Sequence, residues 1–162
     1  MSTIDHRRGQ GWRGPKKHER YYDALADELE VRRIRQWLVS LAERWWPAAL
    51  ESERDALGTV AAELLANVVR HAPGRVRALL LDSGQGNCLL AVADQNPAGP
   101  VTREAEPGEA ESGLGLVLVR ELTSGWGWHP VPFGKVVWAH LPMSRHTREA
   151  SARAESRCSK AD

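Results

Sequence analysis

The segment from Ser52 to Gly74 constrains the fold more than any other part of the chain, because its apolar residues recur at steps of three and four. This period is that of an amphipathic helix, whose apolar stripe must be buried against a second layer. The stripe consists of Ala56, Leu57, Val60, Ala61, Leu64, Leu65 and Val68. Ser52 is a suitable N-cap, and Pro73 with Gly74 is a typical helix end, so we predict one long helix here.

Two β-rich runs follow this helix directly. The run "VRALLLDS" begins at Val76 and the run "NCLLAVAD" begins at Asn87, with Gly84, Gln85 and Gly86 between them. Apolar runs of this length that are separated by a short glycine-rich segment predict a β-hairpin. The helix and the hairpin together indicate a fold that combines helical and sheet layers.

The rest of the chain adds one helix before this unit, and a helix and a hairpin after it. Residues from Asp27 to Trp46 have helical spacing and are stopped by Pro47. Residues 95–111 are rich in Pro, Gly and Glu and predict a long loop, after which "SGLGLVLVREL" predicts a helix that is closed by Gly125. The run "GWGWHPVPFGKVVWAHL" then predicts a second hairpin with residues 131–134 in its turn.

This order of elements predicts the fold class α/β, in the form of an α+β two-layer sandwich. We expect a mixed, mainly antiparallel sheet that is covered on one face by about three helices. A length of 162 residues suits one such domain. We place the domain at 21–144, between a basic flexible N-terminal tail (1–20) and a disordered C-terminal tail (145–162).

Charge and composition argue against several classes of protein. The net charge of +1 combines basic ends with an acidic centre, and because short charged ends are usually solvated, no direct nucleic-acid binding is expected. No stretch is long and apolar enough to cross a bilayer, and the polar start has no secretory signal. We therefore expect a cytoplasmic protein without membrane contact. Cys88 and Cys158 do not have the spacing of a zinc site or a disulfide framework.

Glu63 and Asn67 lie four residues apart in "ELLANVVRHA", so a helix places both on one face, with Arg70 and His71 continuing it. In one interpretation this face is the solvated edge of an amphipathic helix. In the other it lines a binding site, because Asn is a poor helix former whose presence is better explained by a ligand. The spacing alone leaves both interpretations open.

Two further features point to a ligand only weakly when each is taken alone. The "SGLG" of residues 112–115 opens a predicted helix, where glycines permit close approach and unpaired N–H groups favour phosphate oxygens. The same pattern is typical of a flexible loop end. Asp94 ends an apolar strand, where its carboxylate can accept the amino group of a base or begin a turn with Asn96 and Pro97.

The order of these features resembles that of a known family. The sequence contains "ELLANVVRHA", then "VADQNPAGP", then "ESGLGL", and then the closing hairpin run. In this order they resemble the N-box, adenine box and glycine box of the GHKL (Bergerat-fold) ATP-binding domain of gyrases, histidine kinases and related proteins. Over residues 31–141 the resemblance is greatest to the actinobacterial single-domain anti-sigma-factor serine/threonine kinases.

The resemblance implies a role for each residue that matches the first two boxes. Asn67 would coordinate Mg²⁺ through its amide oxygen, and Glu63 would take the proton from the attacking hydroxyl. Asp94 would bind the adenine amino group, with Pro97 in the same box, and Arg70 would lie near the same pocket. Glu63 is thus the candidate catalytic residue and Asn67 the candidate metal ligand.

The glycine box would hold the phosphates. The resemblance implies that backbone N–H groups of Gly113, Leu114 and Gly115 contact them where the helix begins, beneath a lid formed by residues 98–112. The lid carries four glutamates and one arginine. We expect this acidic charge to keep the lid open and to weaken nucleotide affinity.

Two positions depart from the family pattern. Asn96 stands where relatives commonly have Gly, and Val136 stands where relatives have a Thr that helps to order water at the base. The loss of that hydroxyl is expected to cost on the order of 1 kcal/mol of binding free energy. Nucleotide binding is therefore expected to be weaker than in relatives, without being abolished.

The function that the resemblance implies is that of a cytoplasmic, Mg²⁺- and ATP-dependent protein kinase. Its substrate would be a Ser or Thr of a small antagonist protein, and a sigma factor and a second copy of the chain are further candidate partners. The alternative is a non-catalytic protein-binding module of the same fold, with weak or no nucleotide binding. The sequence leaves open whether the chain is an enzyme. A detached histidine-kinase domain is disfavoured, because no acceptor-histidine helix precedes the first predicted helix.

Overall fold

The computed structural model describes residues 18–100 and 114–144. Most of both predicted tails, and all of the predicted lid after Pro100, lie outside these ranges. The described residues form β1 (Glu19–Leu25), α1 (Glu28–Trp45), α2 (Glu51–His71), β2 (Arg75–Gly84), β3 (Asn87–Asp94), α3 (Leu114–Leu122), β4 (Gly125–Val131) and β5 (Gly134–Pro142). The predicted order is confirmed from α1 onward, but it omitted β1.

The strands form a single five-stranded sheet in the order β1-β2-β3-β5-β4. Each described pairing is antiparallel, so the sheet is not mixed as the sequence suggested. The pairs β2/β3 and β4/β5 are the two predicted hairpins, and β3 joins β5 at the centre. The predicted two-layer sandwich is confirmed.

The core lies between one face of the sheet and the helices. Alternate strand residues enter it, among them Val76, Ala78, Leu80, Leu90, Val92, Val137, Ala139 and Leu141. The predicted stripe of α2 is buried except for Ala56, which is half-buried. Each fully buried Leu or Val contributes about 1.5–3 kcal/mol to the free energy of unfolding, so this stripe fixes α2 on the sheet. No helix among the described residues is long and apolar enough to cross a membrane.

The start of α2 differs from the prediction. The helix begins at Glu51, so Ser52 lies in its first turn and does not cap it. Instead of a side chain before the helix accepting from its first N–H groups, a side chain within the helix accepts from the residue before it: the Leu50 N–H donates to the Glu53 carboxylate at 2.9 Å. Ser144, after β5, also donates its N–H and hydroxyl to Glu53 at 3.0 and 2.6 Å. One carboxylate therefore ties the start of α2 to the end of the sheet.

The strand β1 overturns part of the predicted N-terminal tail, because Glu19 and Arg20 belong to the sheet. The strand lies at the sheet edge, where most of its side chains are exposed, and Tyr22 and Ala24 pack against the core. Its seven residues, "ERYYDAL", contain two acids and an arginine. Backbone pairing with β2 stabilises this segment, and its own composition does not indicate a strand.

Candidate functional site

A cavity of about 350 Å³ opens between α2, the ends of β3 and β5, and the start of α3. Its apolar part is formed by side chains from all four elements, namely Leu64, Val68, Val92, Leu116 and Val137. Its polar part is formed by Asn67, Arg70, His71, Asp94, Asn96 and Lys135. An apolar cleft of this volume with a few polar groups has the usual character of a small-molecule site.

Asp94 ends β3 and is almost completely buried at the cavity wall. Its Oδ1 accepts the N–H of Asn96 at 2.8 Å and the ammonium of Lys135 at 3.0 Å. Among the described residues, none donates to its other carboxylate oxygen, Oδ2. The turn after β3 thus uses one oxygen of the predicted base-binding carboxylate and leaves the second available to a ligand.

Lys135 is a site residue that the sequence prediction missed. It lies directly opposite Asp94 in the β3–β5 ladder, and only 7% of its side chain is exposed. The same ammonium donates to the backbone oxygen of Asn96 at 3.0 Å. Lys135 shares the inward face of β5 with Val137 and Ala139. That period-two position was the available signal, since a lysine among inward apolar residues needs a buried partner.

Gly134 permits this approach of β5 to β3. A Cβ at this position would overlap the backbone carbonyl of Asp94, and the φ angle of Gly134 is +154°. Residues with side chains rarely adopt this conformation. The glycine therefore allows β5 to place Lys135 directly beside the carboxylate.

Val136 does not line the cavity, although it stands where relatives are expected to have a Thr that helps to order water at the base. Its neighbours Lys135 and Val137 line the cavity, because successive strand residues point to opposite faces of the sheet. The residue that brings a polar hydrogen-bond donor to this wall is therefore Lys135.

Asn67 and the last turn of α2 form the opposite side of the cavity. Asn67 is half-buried, and its amide has no hydrogen-bond partner among the described residues. Arg70 and His71 line the cavity too, but both are exposed. The side-chain amide of Asn96 donates to the His71 carbonyl at 2.7 Å, which ties the end of α2 to the turn after β3. Asn67 thus lines the cavity with an amide that no other described residue engages.

Glu63 lies one turn before Asn67 but does not line the cavity. Its half-buried carboxylate packs against Gly115 in the first turn of α3, where a Cβ would overlap the carboxylate oxygen. Gly115 itself does line the cavity. A side chain at position 115 would therefore displace the Glu63 carboxylate, so the glycine permits the close contact between this carboxylate and the start of α3.

The other predicted site residues fall at the margin of the cavity or outside the described residues. Pro97 is exposed and is not among the lining residues, whereas Ala98, Gly99 and Pro100 are. Leu114 is the first residue of α3. Gly113 lies outside the described residues. The structure therefore brings Asn67, Arg70, Asp94 and Gly115 to one cavity, with Glu63 beside it.

A divalent cation at this site would depend on few protein ligands. Within 18–100 and 114–144, no group of three or more His, Cys, Asp or Glu side chains is arranged to hold a metal ion. Mg²⁺ prefers oxygen ligands and commonly takes only one or two from protein, with water and substrate phosphates completing its octahedron. The amide oxygen of Asn67, which accepts no hydrogen bond from the described residues, fits this requirement.

Comparison with known proteins gives a family match and several likenesses of fold. Residues 24–141 match the family described as histidine kinase-like ATPase domain. No curated protein matches the chain. The solved structure of the RsbU and RsbW domains of Rv1364c from Mycobacterium tuberculosis is 19% identical, with a TM-score of 0.54, over 80% of this chain and 33% of that chain. The present chain thus spans about a third of that structure's length.

Two histidine kinase structures are also similar. Histidine kinase AdeS of Acinetobacter baumannii is 14% identical with a TM-score of 0.44, over 78% of this chain and 70% of that chain. The histidine kinase domain of a blue-light activated histidine kinase from Erythrobacter litoralis is 18% identical with a TM-score of 0.40, over 71% and 60% respectively. At these identities the likenesses concern the fold alone.

Proposed function

The chain belongs to the histidine kinase-like ATPase domain family, and we propose that it binds ATP with Mg²⁺ and phosphorylates a Ser or Thr of a small antagonist protein. The observation that carries this proposal is that Asn67, Asp94 and Gly115 all line the same cavity. These residues come from three separate sequence boxes. Their convergence supports a nucleotide site more strongly than any one box does.

The shape and polarity of the cavity support the placement of the nucleotide. Its apolar side chains suit the faces of a base, and Asp94 offers Oδ2 to an exocyclic amino group. The start of α3, at Leu114 and Gly115, would receive the phosphates, because the first N–H groups of a helix have no intrahelical partner. In this arrangement Arg70 lies close enough to the cavity to add a positive charge.

Asn67 would hold the metal, which when bound neutralises charge on the phosphates and helps to orient them. Glu63 would accept the proton of the attacking hydroxyl beside this site. Its position one turn from Asn67 supports this role. Its contact with Gly115 also ties it to the helix start that would carry the phosphates.

The partner class is the least direct part of the proposal. It rests on the resemblance to anti-sigma-factor kinases and on the likeness of fold to a structure that contains an RsbW domain. We propose a small antagonist protein as the substrate and a sigma factor as the protein that is sequestered. A second copy of the chain is the remaining candidate partner.

Calorimetric titration with Mg·ATP tests nucleotide binding. We expect saturable heat for the wild-type protein and at least about tenfold weaker binding for Asn67→Ala, with loss of the Mg²⁺ dependence. Asn87→Ala is the matched control, because Asn87 lies at the β2–β3 turn, far along the strand from the cavity. Absence of heat from the wild-type protein at millimolar nucleotide would contradict the proposed function.

Phosphoryl transfer is tested with γ-labelled ATP and a purified antagonist protein. Glu63→Gln should retain ATP binding and lower the transfer rate by about a hundredfold or more, because it removes the proton acceptor. The matched control is Glu43→Gln, because Glu43 lies on the exposed side of α1. Glu53 would be a poor choice, since its carboxylate caps α2. Equal transfer rates in wild type and Glu63→Gln would exclude Glu63 as the base.

The position of Glu63 also favours a second candidate function, a non-catalytic protein-binding module of the same fold. The carboxylate packs against Gly115 and is not among the residues that line the cavity. A binding module would retain the antagonist without labelling it, and its affinity would be equal for wild type and Glu63→Gln. The transfer experiment therefore separates the two functions.

A further inference from the structure

The ion pair between Asp94 and Lys135 lies in the cavity wall, and only 3% and 7% of the two side chains are exposed. A buried charge pair is costly unless its remaining hydrogen-bonding capacity is satisfied. The ammonium has three N–H donors, of which two are used by Asp94 Oδ1 and the Asn96 carbonyl. No other described residue accepts from it. Lys135 therefore retains one donor at a wall that it helps to form.

The carboxylate of Asp94 likewise has one oxygen that accepts no hydrogen bond from the described residues. Oδ1 of Asp94 is occupied by Asn96 and Lys135, and Oδ2 receives no hydrogen bond from the described residues. The side chain of Asn96 is engaged elsewhere, since it donates to the His71 carbonyl and accepts the Ala98 N–H at 3.0 Å. One acceptor and one donor are thus left side by side at the same end of the cavity.

We propose that Lys135 is a specificity-determining residue that reads the nucleotide base together with Asp94. Oδ2 of Asp94 accepts from the exocyclic amino group of adenine, and the remaining N–H of Lys135 donates to the adjacent ring nitrogen, N1. The proposal rests on the proposed nucleotide binding. In this arrangement the charged ammonium of Lys135 donates directly to the edge of the base, on a cavity wall that Val136 does not line.

The arrangement discriminates between purines by the direction of two hydrogen bonds. Adenine presents an amino donor next to a ring-nitrogen acceptor. Hypoxanthine and guanine present a carbonyl oxygen next to a ring N–H, which places acceptor against Asp94 and donor against Lys135. A site that is built to pair with polar groups rejects a ligand that leaves those groups unpaired more strongly than an apolar pocket rejects a change of shape.

Titration of the wild-type protein with four Mg·nucleotides tests the proposed hydrogen bond from Lys135 to N1. We expect 7-deaza-ATP to bind as ATP does, because N7 is not contacted, and 1-deaza-ATP to bind about tenfold more weakly, because it lacks the acceptor for Lys135. ITP, in which both hydrogen bonds are reversed, should bind at least as weakly as 1-deaza-ATP. Equal affinities for ATP and 1-deaza-ATP would overturn the proposal while leaving the proposed function intact.

The variant Lys135→Met keeps the length of the side chain and removes the donor. Its affinities for ATP and 1-deaza-ATP should become equal, while Arg77→Met, which removes a charge from an exposed pair in the same sheet, should keep the wild-type ratio. A Lys135→Met protein that retains the ratio also overturns the proposal. If circular dichroism shows that this variant is unfolded, the wild-type nucleotide series decides alone. If ATP itself does not bind, the proposed function fails and this inference fails with it.

Discussion

Two ion pairs in the sheet have the same cross-strand geometry and differ in their surroundings. Asp23 of β1 lies opposite Arg77 of β2, and Asp94 of β3 lies opposite Lys135 of β5. The first pair has two hydrogen bonds, of 2.6 and 2.8 Å, but its side chains are 35% and 47% exposed. The second pair has a single direct bond of 3.0 Å and is almost fully buried. The better hydrogen-bond geometry thus belongs to the exposed pair.

The comparison indicates that burial, more than hydrogen-bond geometry, decides how strongly the two partners of a charge pair depend on each other in this protein. Water screens the exposed pair, and such pairs contribute about 0–1 kcal/mol. The guanidinium of Arg77 also lies 5.1 Å from the ring centroid of Tyr21, at the uncovered side of the sheet. The buried pair is almost completely removed from bulk solvent, so each charged group depends mainly on the other. It also lies where a ligand can reach it.

Lys135→Met should give the largest effect on stability. Removal of one partner from a buried pair leaves an uncompensated charge and typically costs about 3–5 kcal/mol of unfolding free energy. Urea denaturation measures this loss. The double variant Asp94→Leu/Lys135→Met should recover much of it, since both charges are then absent. A single variant that costs less than about 1 kcal/mol would show that the pair is effectively solvated.

Asp94→Asn should give the next largest effect, on nucleotide affinity. The charged acceptor for the base is lost, which we expect to weaken Mg·ATP binding by about ten- to a hundredfold. Asp23→Asn makes the same chemical change in the exposed pair and should leave the affinity unchanged. Calorimetry on both variants measures the contrast, and a similar loss in the two would place Asp94 outside the binding site.

Arg77→Met should have a small effect that depends on salt. The expected loss is about 0.2–1 kcal/mol of unfolding free energy at low ionic strength, and 0.5 M NaCl should reduce it further by screening. The loss caused by Lys135→Met should persist in the same salt. Urea denaturation at two salt concentrations distinguishes the pairs, and an equal salt dependence for both variants would contradict the contrast in burial.

The smallest effect should appear in the pH dependence of stability. The hydrogen bond from Arg77 holds the pKa of Asp23 below its ordinary value of 3.8. A lowered carboxyl pKa stabilises the folded state above pH 3.8, and this contribution is lost as the pH falls through the lower folded-state pKa. The difference in stability between wild type and Asp23→Asn should therefore shrink below about pH 4. A difference that grows under acid would have the wrong sign.

The parts of the fold that the sequence predicted are those with strong local periodicity. The apolar stripe of α2 is almost wholly buried, and the two hairpins lie where the β-rich runs placed them. Asn67, Asp94 and Gly115 reached one cavity because their separate boxes mark the ends of these regular elements. Local pattern was sufficient for the helices and strands, whereas the expectation that these three residues share one site came from the resemblance to the family.

The parts that could not be predicted depend on contacts between distant segments. Lysine is usually a surface residue, and although its position in β5 is inward-facing, its partner Asp94 lies 41 residues away in the sequence. The spacing of Glu63 and Asn67 gave a common face, but in the structure only Asn67 lines the cavity and Glu63 packs against Gly115. The cap of α2 was assigned to Ser52 because Ser is a common N-cap residue, whereas in the structure Glu53 caps the helix and also accepts from the distant Ser144. The strand β1 was missed, since its pairing with β2 gives it regular structure.

The position of β1 affects whether separate copies of the chain can pair at the edge of the sheet. It pairs with the whole of "RVRALLL", from Arg75 to Leu81, and covers the edge of β2. Without β1 that edge would present unpaired N–H and C=O groups along an apolar strand, which is a template for intermolecular β-pairing. We therefore expect a chain that begins at Asp27 to aggregate at concentrations where the full chain stays dispersed, as light scattering would show. The charged, largely exposed β1 is therefore expected to protect the apolar edge of β2 against intermolecular β-pairing.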